Sequence, residues 1–319
     1  MSSHLSILPA ILVASLPLPA AARADAKHAV GFETIAMEDG GELAIWYPAK
    51  GEAKSQRLGL YLQRVVTGAD PVGRKLPLIV ISHGSGGTYA AHHDTAVALA
   101  ESGFIVAAPL HPGDNWRDRS RATDLAARTA RISAAIDTVF SRWSHGALVN
   151  PRKIGAMGYS AGGFAVLAAA GARPDLARID AHCQAVPAAF ECGLAGARSV
   201  PQSPWLAIPD RRIRALVLAA PALGYTFAGG LEEVRIPVQL WRAGKDALLP
   251  APHYADAIRA ALPRRPEYHD VPGAGHFDFM APCTAPGARA PICETQEFDR
   301  AEFHRSYNAS ITRFFQKHL

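Results

Sequence analysis

From Leu78 onward the chain alternates short, continuously apolar runs with longer stretches of helical periodicity. Residues 78–82, 104–108, 153–157, 214–219 and 238–242 are predominantly apolar runs without a polar face, a pattern that a strand carries when both of its faces are covered. Residues 95–102, 125–140 and 161–170 repeat their apolar positions with the helical period. A helix around 253–261, a strand near Tyr268 and an amphipathic helix over 302–317 complete the series. Ahead of it, residues 30–37 and 42–47 read as strands joined through Asp39-Gly40-Gly41, a hairpin signal. The pattern predicts an α/β protein: a mostly parallel sheet with helices on both faces, opened by an antiparallel hairpin. Residues 172–212, with Pro174, Pro187, Pro201, Pro204 and Pro209, break the rhythm and read as an inserted lid. Residues 281–293 form a second proline-rich excursion.

The first 24 residues differ in composition from everything after them. Residues 5–18 are almost wholly apolar and lead to Ala22-Arg23-Ala24, so 1–24 reads as a secretory signal and 25–319 as one folded domain with its insertion. That apolar stretch is short and carries Pro9 and Pro17, which argues against a stable membrane span. Over the whole chain, 49% hydrophobic and 19% charged residues describe a globular protein. The net charge of +5 is scattered, and its densest cluster, Arg211, Arg212 and Arg214, precedes an apolar run, so no nucleic-acid partner is expected. Four cysteines suit an oxidising compartment. Three pairings are open; short loops close most easily, which favours Cys183 with Cys192 and Cys283 with Cys293, and a periplasmic or secreted location.

The candidate chemistry begins at Gly158-Tyr159-Ser160-Ala161-Gly162, where a strand meets a helix. A serine at that turn exposes its hydroxyl above the sheet, and small flanking residues permit the turn. Such a hydroxyl needs a base and an orienting carboxylate. His276 lies in Gly273-Ala274-Gly275-His276 after the last strand. Asp246 follows the run 238–242, with Asp270 and Asp278 as alternatives near His276. The strand 78–82 runs into His83-Gly84-Ser85-Gly86-Gly87, whose backbone can approach a ligand, and the amides of Ser85 and Ala161 are the expected oxyanion donors. No Gly-Lys-Ser/Thr follows this loop, so no nucleotide is implied, and nothing calls for a metal or organic cofactor. His111, Asp114 and Asn115, at the end of another strand, read as a turn that stiffens the loop or as pocket lining, the first being favoured. Phe190 and Trp205 read as lid core.

Taken together, 82–87, 158–163, Asp246 and Gly275-His276-Phe277-Asp278-Phe279 resemble the α/β-hydrolase superfamily. Within it they resemble bacterial secreted proteins of the dienelactone-hydrolase-like and platelet-activating-factor-acetylhydrolase-like group. The likeness runs from about Val30 to the C-terminus. Dienelactone hydrolases proper carry a cysteine where this chain has Ser160. The resemblance implies a serine hydrolase acting through an acyl-enzyme on small or lipid-like esters, short-chain or lactone-type. The same triad also serves phospholipid-type acetylhydrolases, peptidases and thioesterases, and a hydrolase fold can persist in a binding protein.

Overall fold

The computed structural model describes Met1, residues 28–196, Trp205, 208–294 and 297–319; the expected signal falls outside them. In chain order the elements are β1 (Ala29–Ala36), β2 (Glu42–Ala49), β3 (Lys54–Leu58), β4 (Tyr61–Thr67), β5 (Leu76–Ser82), α1 (His93–Glu101), β6 (Ile105–Pro109) and α2 (Leu125–Ser141). They continue as β7 (Val149–Tyr159), α3 (Ala161–Ala169), α4 (Arg178–Ala185), α5 (Phe190–Gly196), β8 (Ile213–Ala219), β9 (Val238–Ala243), α6 (Ala255–Ala261), β10 (Glu267–Val271) and α7 (Arg300–His318). Ten strands of the described residues form one sheet in the order β10-β9-β8-β7-β5-β6-β2-β1-β4-β3. From β6 to β10 every neighbouring pair is parallel, and β2 joins β6 antiparallel. The expected hairpin is β1–β2, with Ala29 opposite Ala49 and Ala36 opposite Glu42.

The doubly apolar strands have a direct reason. In β5, Leu78 and Val80 pack into a core with Ile132 and Ile136 of α2 and Phe164 of α3. Their neighbours Ile79 and Ile81 point the other way, into a core with Leu99 of α1 and Ile311 and Phe315 of α7. Side chains alternate along a strand, so a sheet sandwiched between two helix layers needs apolar residues at every position.

The hairpin β3–β4 is absent from the sequence-based reading. Lys54, Arg57 and Arg64 break any apolar run there, and only one face of β4 is covered: Tyr61, Gln63 and Val65 are buried and Arg64 is exposed. The buried Gln63 carbonyl accepts a 2.8 Å bond from the Trp46 indole, which lets a polar residue sit inside.

Parallel strands give the site its frame. The segments following β5, β6, β7, β9 and β10 all emerge at one edge of the sheet, where binding crevices of open α/β sheets lie. Between α3 and β8, α4 and α5 are tied by Cys183–Cys192, and the later excursion is closed by Cys283–Cys293. No helix among the described residues is long and apolar enough to cross a membrane.

Candidate active site

Ser160 stands between β7 and α3 with φ +54° and ψ −123°, a backbone conformation rare for a residue with a side chain. Its neighbours explain how the chain can turn there. A Cβ on Gly158 would meet the Gly162 carbonyl oxygen at 2.2 Å, and one on Gly162 would meet that of Ser82 at 2.0 Å, so both positions exclude any larger residue. The turn is held from both sides. Ser160 N–H donates to the Ala219 carbonyl at 3.0 Å, and the Ser160 carbonyl accepts from the amides of Gly163 and Ala222.

The loop after β10 brings His276 Nε2 to 3.0 Å from Ser160 Oγ, and the loop after β9 brings Asp246 Oδ2 to 2.7 Å from His276 Nδ1. A carboxylate can only accept, so the imidazole proton sits on Nδ1 and leaves Nε2 to accept from the serine hydroxyl. Asp246 Oδ1 is fixed in turn by the amides of Leu248 and Leu249. The two loops are joined by a bond from Lys245 N–H to the Ala274 carbonyl. Tyr159 donates its hydroxyl to the His276 carbonyl at 3.1 Å, and burial holds that phenol well above its ordinary pKa. The alternatives to Asp246 are engaged elsewhere: Asp270 with Arg242, Asp278 with Arg300 and the Gly275 amide. Behind Asp278, His304 donates from Nε2 to its backbone carbonyl and pairs through Nδ1 with Asp94 at 2.6 Å.

The loop after β5, expected to supply an oxyanion donor, is built more elaborately than its sequence suggests. A Cβ on Gly84 would lie 3.2 Å from Ser160 Cβ, so the loop passes directly over the serine. Ala161 N–H opens α3, and neither it nor the Ser85 amide is tied to another backbone group among the described residues. Asp114 is what shapes this loop. Its Oδ1 accepts from Ser85 Oγ at 2.8 Å and from the Gly86 amide at 2.7 Å, while Oδ2 meets Arg128 Nη1 at 2.9 Å. Arg128 also donates to the His83 carbonyl, and both members of the ion pair are almost wholly buried. His83 donates from Nδ1 to the Gly84 carbonyl and accepts the His111 amide on Nε2, while His111 Nε2 meets Ser82 Oγ at 2.9 Å. Burial, with the Arg128 charge adding to it, pushes both imidazoles well below their usual range, so they act as neutral struts. Asn115 accepts the amides of Arg117 and Asp118 in an Asx turn and donates to the His111 carbonyl. The 111–115 cluster is therefore a brace. Arg128 escaped the sequence reading, although it held the available signal: a cation at the helical spacing of Leu125 and Ile132 on the buried stripe of α2.

Ser160 and His276 open onto a cavity of about 260 Å³. Leu223, Leu248, Leu249 and Phe277 form apolar walls on the sheet side. The Cys183–Cys192 segment supplies Ile179, Phe190 and Leu194, and Ile292 comes from beside Cys293. Phe190 is thus half-exposed cavity wall instead of lid core, because it opens a short helix that leans over the site. Trp205 packs edge-on against the buried Phe164. Arg211, Arg212 and Arg214 do not line the cavity, and Arg212 pairs with Asp210 and Asp137. No His, Cys, Asp and Glu cluster among the described residues could hold a metal ion.

The sequence model of the dienelactone hydrolase family matches residues 64–191, the stretch from β4 to the start of α5 that includes the loop after β5 and Ser160. No curated protein sequence matches the chain. A solved ferulic acid esterase from Streptomyces cinnamoneus superposes with a TM-score of 0.62 at 19% identity, over 94% of this chain and 92% of that one. The chain has the α/β-hydrolase fold, and its region 64–191 matches the dienelactone hydrolase family.

Proposed function

We propose that the protein is a serine hydrolase of carboxylic esters. The observation that carries this reading is the unbroken relay Ser160–His276–Asp246, with the serine on a strained turn facing an apolar cavity. In the reaction, Ser160 Oγ attacks the acyl carbon as His276 Nε2 takes its proton. The amides of Ser85 and Ala161 receive the negative oxygen, and the dipole of α3 favours it there. Collapse of the tetrahedral intermediate expels the alcohol, which leaves with the proton from His276. Water, activated by the same imidazole, then releases the acid and restores Ser160. Asp246 keeps the imidazole in the required tautomer and stabilises its cation.

The match to the dienelactone hydrolase family and the likeness to a ferulic acid esterase support ester chemistry. The two disulfides are compatible with export, in which case the mature chain begins at residue 25. Ser160→Ala is expected to abolish hydrolysis of p-nitrophenyl butyrate and labelling by a fluorophosphonate, with an unchanged melting curve. Wild-type turnover by that variant would overturn the assignment.

A further inference from the structure

A second cavity, of about 480 Å³, adjoins the one above Ser160. Gly86, Gly87, Ala91, Met280 and Ile292 line both, so the two cavities meet along these residues. The second cavity is lined chiefly by apolar groups: Leu58 and Leu60 from the β3–β4 turn, Tyr61, Tyr89, Leu110 and Trp116. The Tyr89 hydroxyl, the polar end of one of these rings, is already engaged with Glu42.

Trp116 is the informative residue. It is 59% exposed, an unusual position for an indole. Yet it is not a loose surface residue. Its amide donates to the Gly87 carbonyl at 3.1 Å, and it follows directly on Asn115, whose side chain caps the turn. Arg117 lies 4.5 Å over the ring centroid, covering one face. Phe190 and Phe277, likewise exposed large hydrophobics, border the first cavity. Single exposed apolar side chains are ordinary, whereas their concentration around a crevice marks a binding surface. A small acyl group would need only the first cavity and would leave the rigidly presented indole without a role.

On the ester-hydrolase reading above, we infer that the site takes esters bearing an apolar group on each side of the carbonyl. One limb enters the lidded cavity and the other, a flat aromatic ring, lies against Trp116. The test compares benzyl acetate and methyl phenylacetate, which carry the ring on opposite sides of the ester, with methyl propionate, in wild type, Trp116→Ala and Trp116→Phe. At least one ring-bearing ester is expected to exceed methyl propionate in kcat/KM by about tenfold, as ring burial and stacking allow. Trp116→Ala should remove that advantage and leave methyl propionate within about twofold, and Trp116→Phe should retain most of it. If methyl propionate is turned over and neither ring-bearing ester gains, or Trp116→Ala slows all three equally, the aromatic subsite is refuted and the hydrolase reading stands. If wild type cleaves none of the three, both fall.

Discussion

Asp114 does not touch the cavity above Ser160, yet replacing it with Asn should impair chemistry more than substrate binding. The carboxylate accepts from Ser85 Oγ and the Gly86 amide on one oxygen and from Arg128 on the other. An amide of the same shape has one oxygen to offer. If that oxygen stays toward Ser85 and Gly86, the new NH2 group faces the Arg128 guanidinium. If it flips, the NH2 group faces the Gly86 N–H. Either way two donors oppose each other, and Arg128, about 3% exposed, loses its counter-charge. Breaking a buried ion pair costs about 3–5 kcal/mol, and the near-isosteric replacement should fall at the low end. At about 2 °C per kcal/mol for a domain of this size, Tm should drop by about 6 °C.

The catalytic consequence follows from geometry. The loop segment that Asp114 holds includes Ser85, whose amide is one of the two proposed oxyanion donors. Losing one such donor costs about 100- to 1000-fold in rate, so a displaced loop should lower kcat for p-nitrophenyl acetate by about 100-fold. KM should stay within about twofold, because the apolar walls are untouched. Kinetics at a temperature where the variant remains folded, with thermal denaturation alongside, separate the two effects. Ser85→Ala is the companion: it removes the hydroxyl but keeps the Gly86 contact and the Ser85 amide, and should cost no more than about threefold in kcat. An Asp114→Asn protein that melts early but keeps full kcat would refute the reasoning, since the brace would then be structural only.

Three further outcomes are expected. Asp246→Asn should lower kcat by about ten-thousandfold through the wrong imidazole tautomer, whereas Asp270→Asn, in a part-exposed pair with Arg242, should stay within about twofold; equal losses in the two would discredit the assignment. Burial holds His83, His92, His93 and His111 below the ordinary imidazole range, His92 at about 4, so the unfolded chain gains protons that the folded chain refuses as pH falls below about 6.5. His92 alone should cost about 1 kcal/mol between pH 6.5 and 5.5. In His304 burial is outweighed by the adjacent Asp94 carboxylate, so its contribution is intact below that range and fades only as pH rises; Tm should therefore fall on acidification, and a rise would contradict this balance. Replacing Cys183 and Cys192 together by Ser should remove about 2–3 kcal/mol of unfolded-state restraint and raise KM more than it lowers kcat, because α4 and α5 carry Ile179, Phe190 and Leu194 into the cavity; steady-state kinetics of the double variant decide it.

How much of this was readable from the chain depends on how local each signal is. The parallel strands were legible because a two-faced sheet forces continuous apolar runs, and the turn at Ser160 because only glycine fits at 158 and 162. The hairpin β3–β4 was not, since one covered face leaves an alternation that Lys54, Arg57 and Arg64 blur. Among three aspartates near the histidine, sequence spacing favoured none decisively. Asp278 is two positions from His276 and Asp246 is thirty away, yet it is Asp246 that meets the imidazole, because adjacent parallel strands β9 and β10 place their following loops side by side.

The Asp114–Arg128 pair shows the limit of such reading and the reason for it. Each residue taken alone has an ordinary explanation, an Asx turn for one and a solvated helix cation for the other. Only the packing of α2 against the segment following β6 reveals that Arg128 occupies a core position and that its charge is tolerated because a carboxylate meets it there. Two apolar residues of similar volume would fill that space with less desolvation, but they could not also accept Ser85 Oγ and the Gly86 amide or donate to the His83 carbonyl. The buried charges are therefore best understood as fixing the backbone of the proposed oxyanion loop, a task that packing alone cannot perform because apolar contacts have no direction.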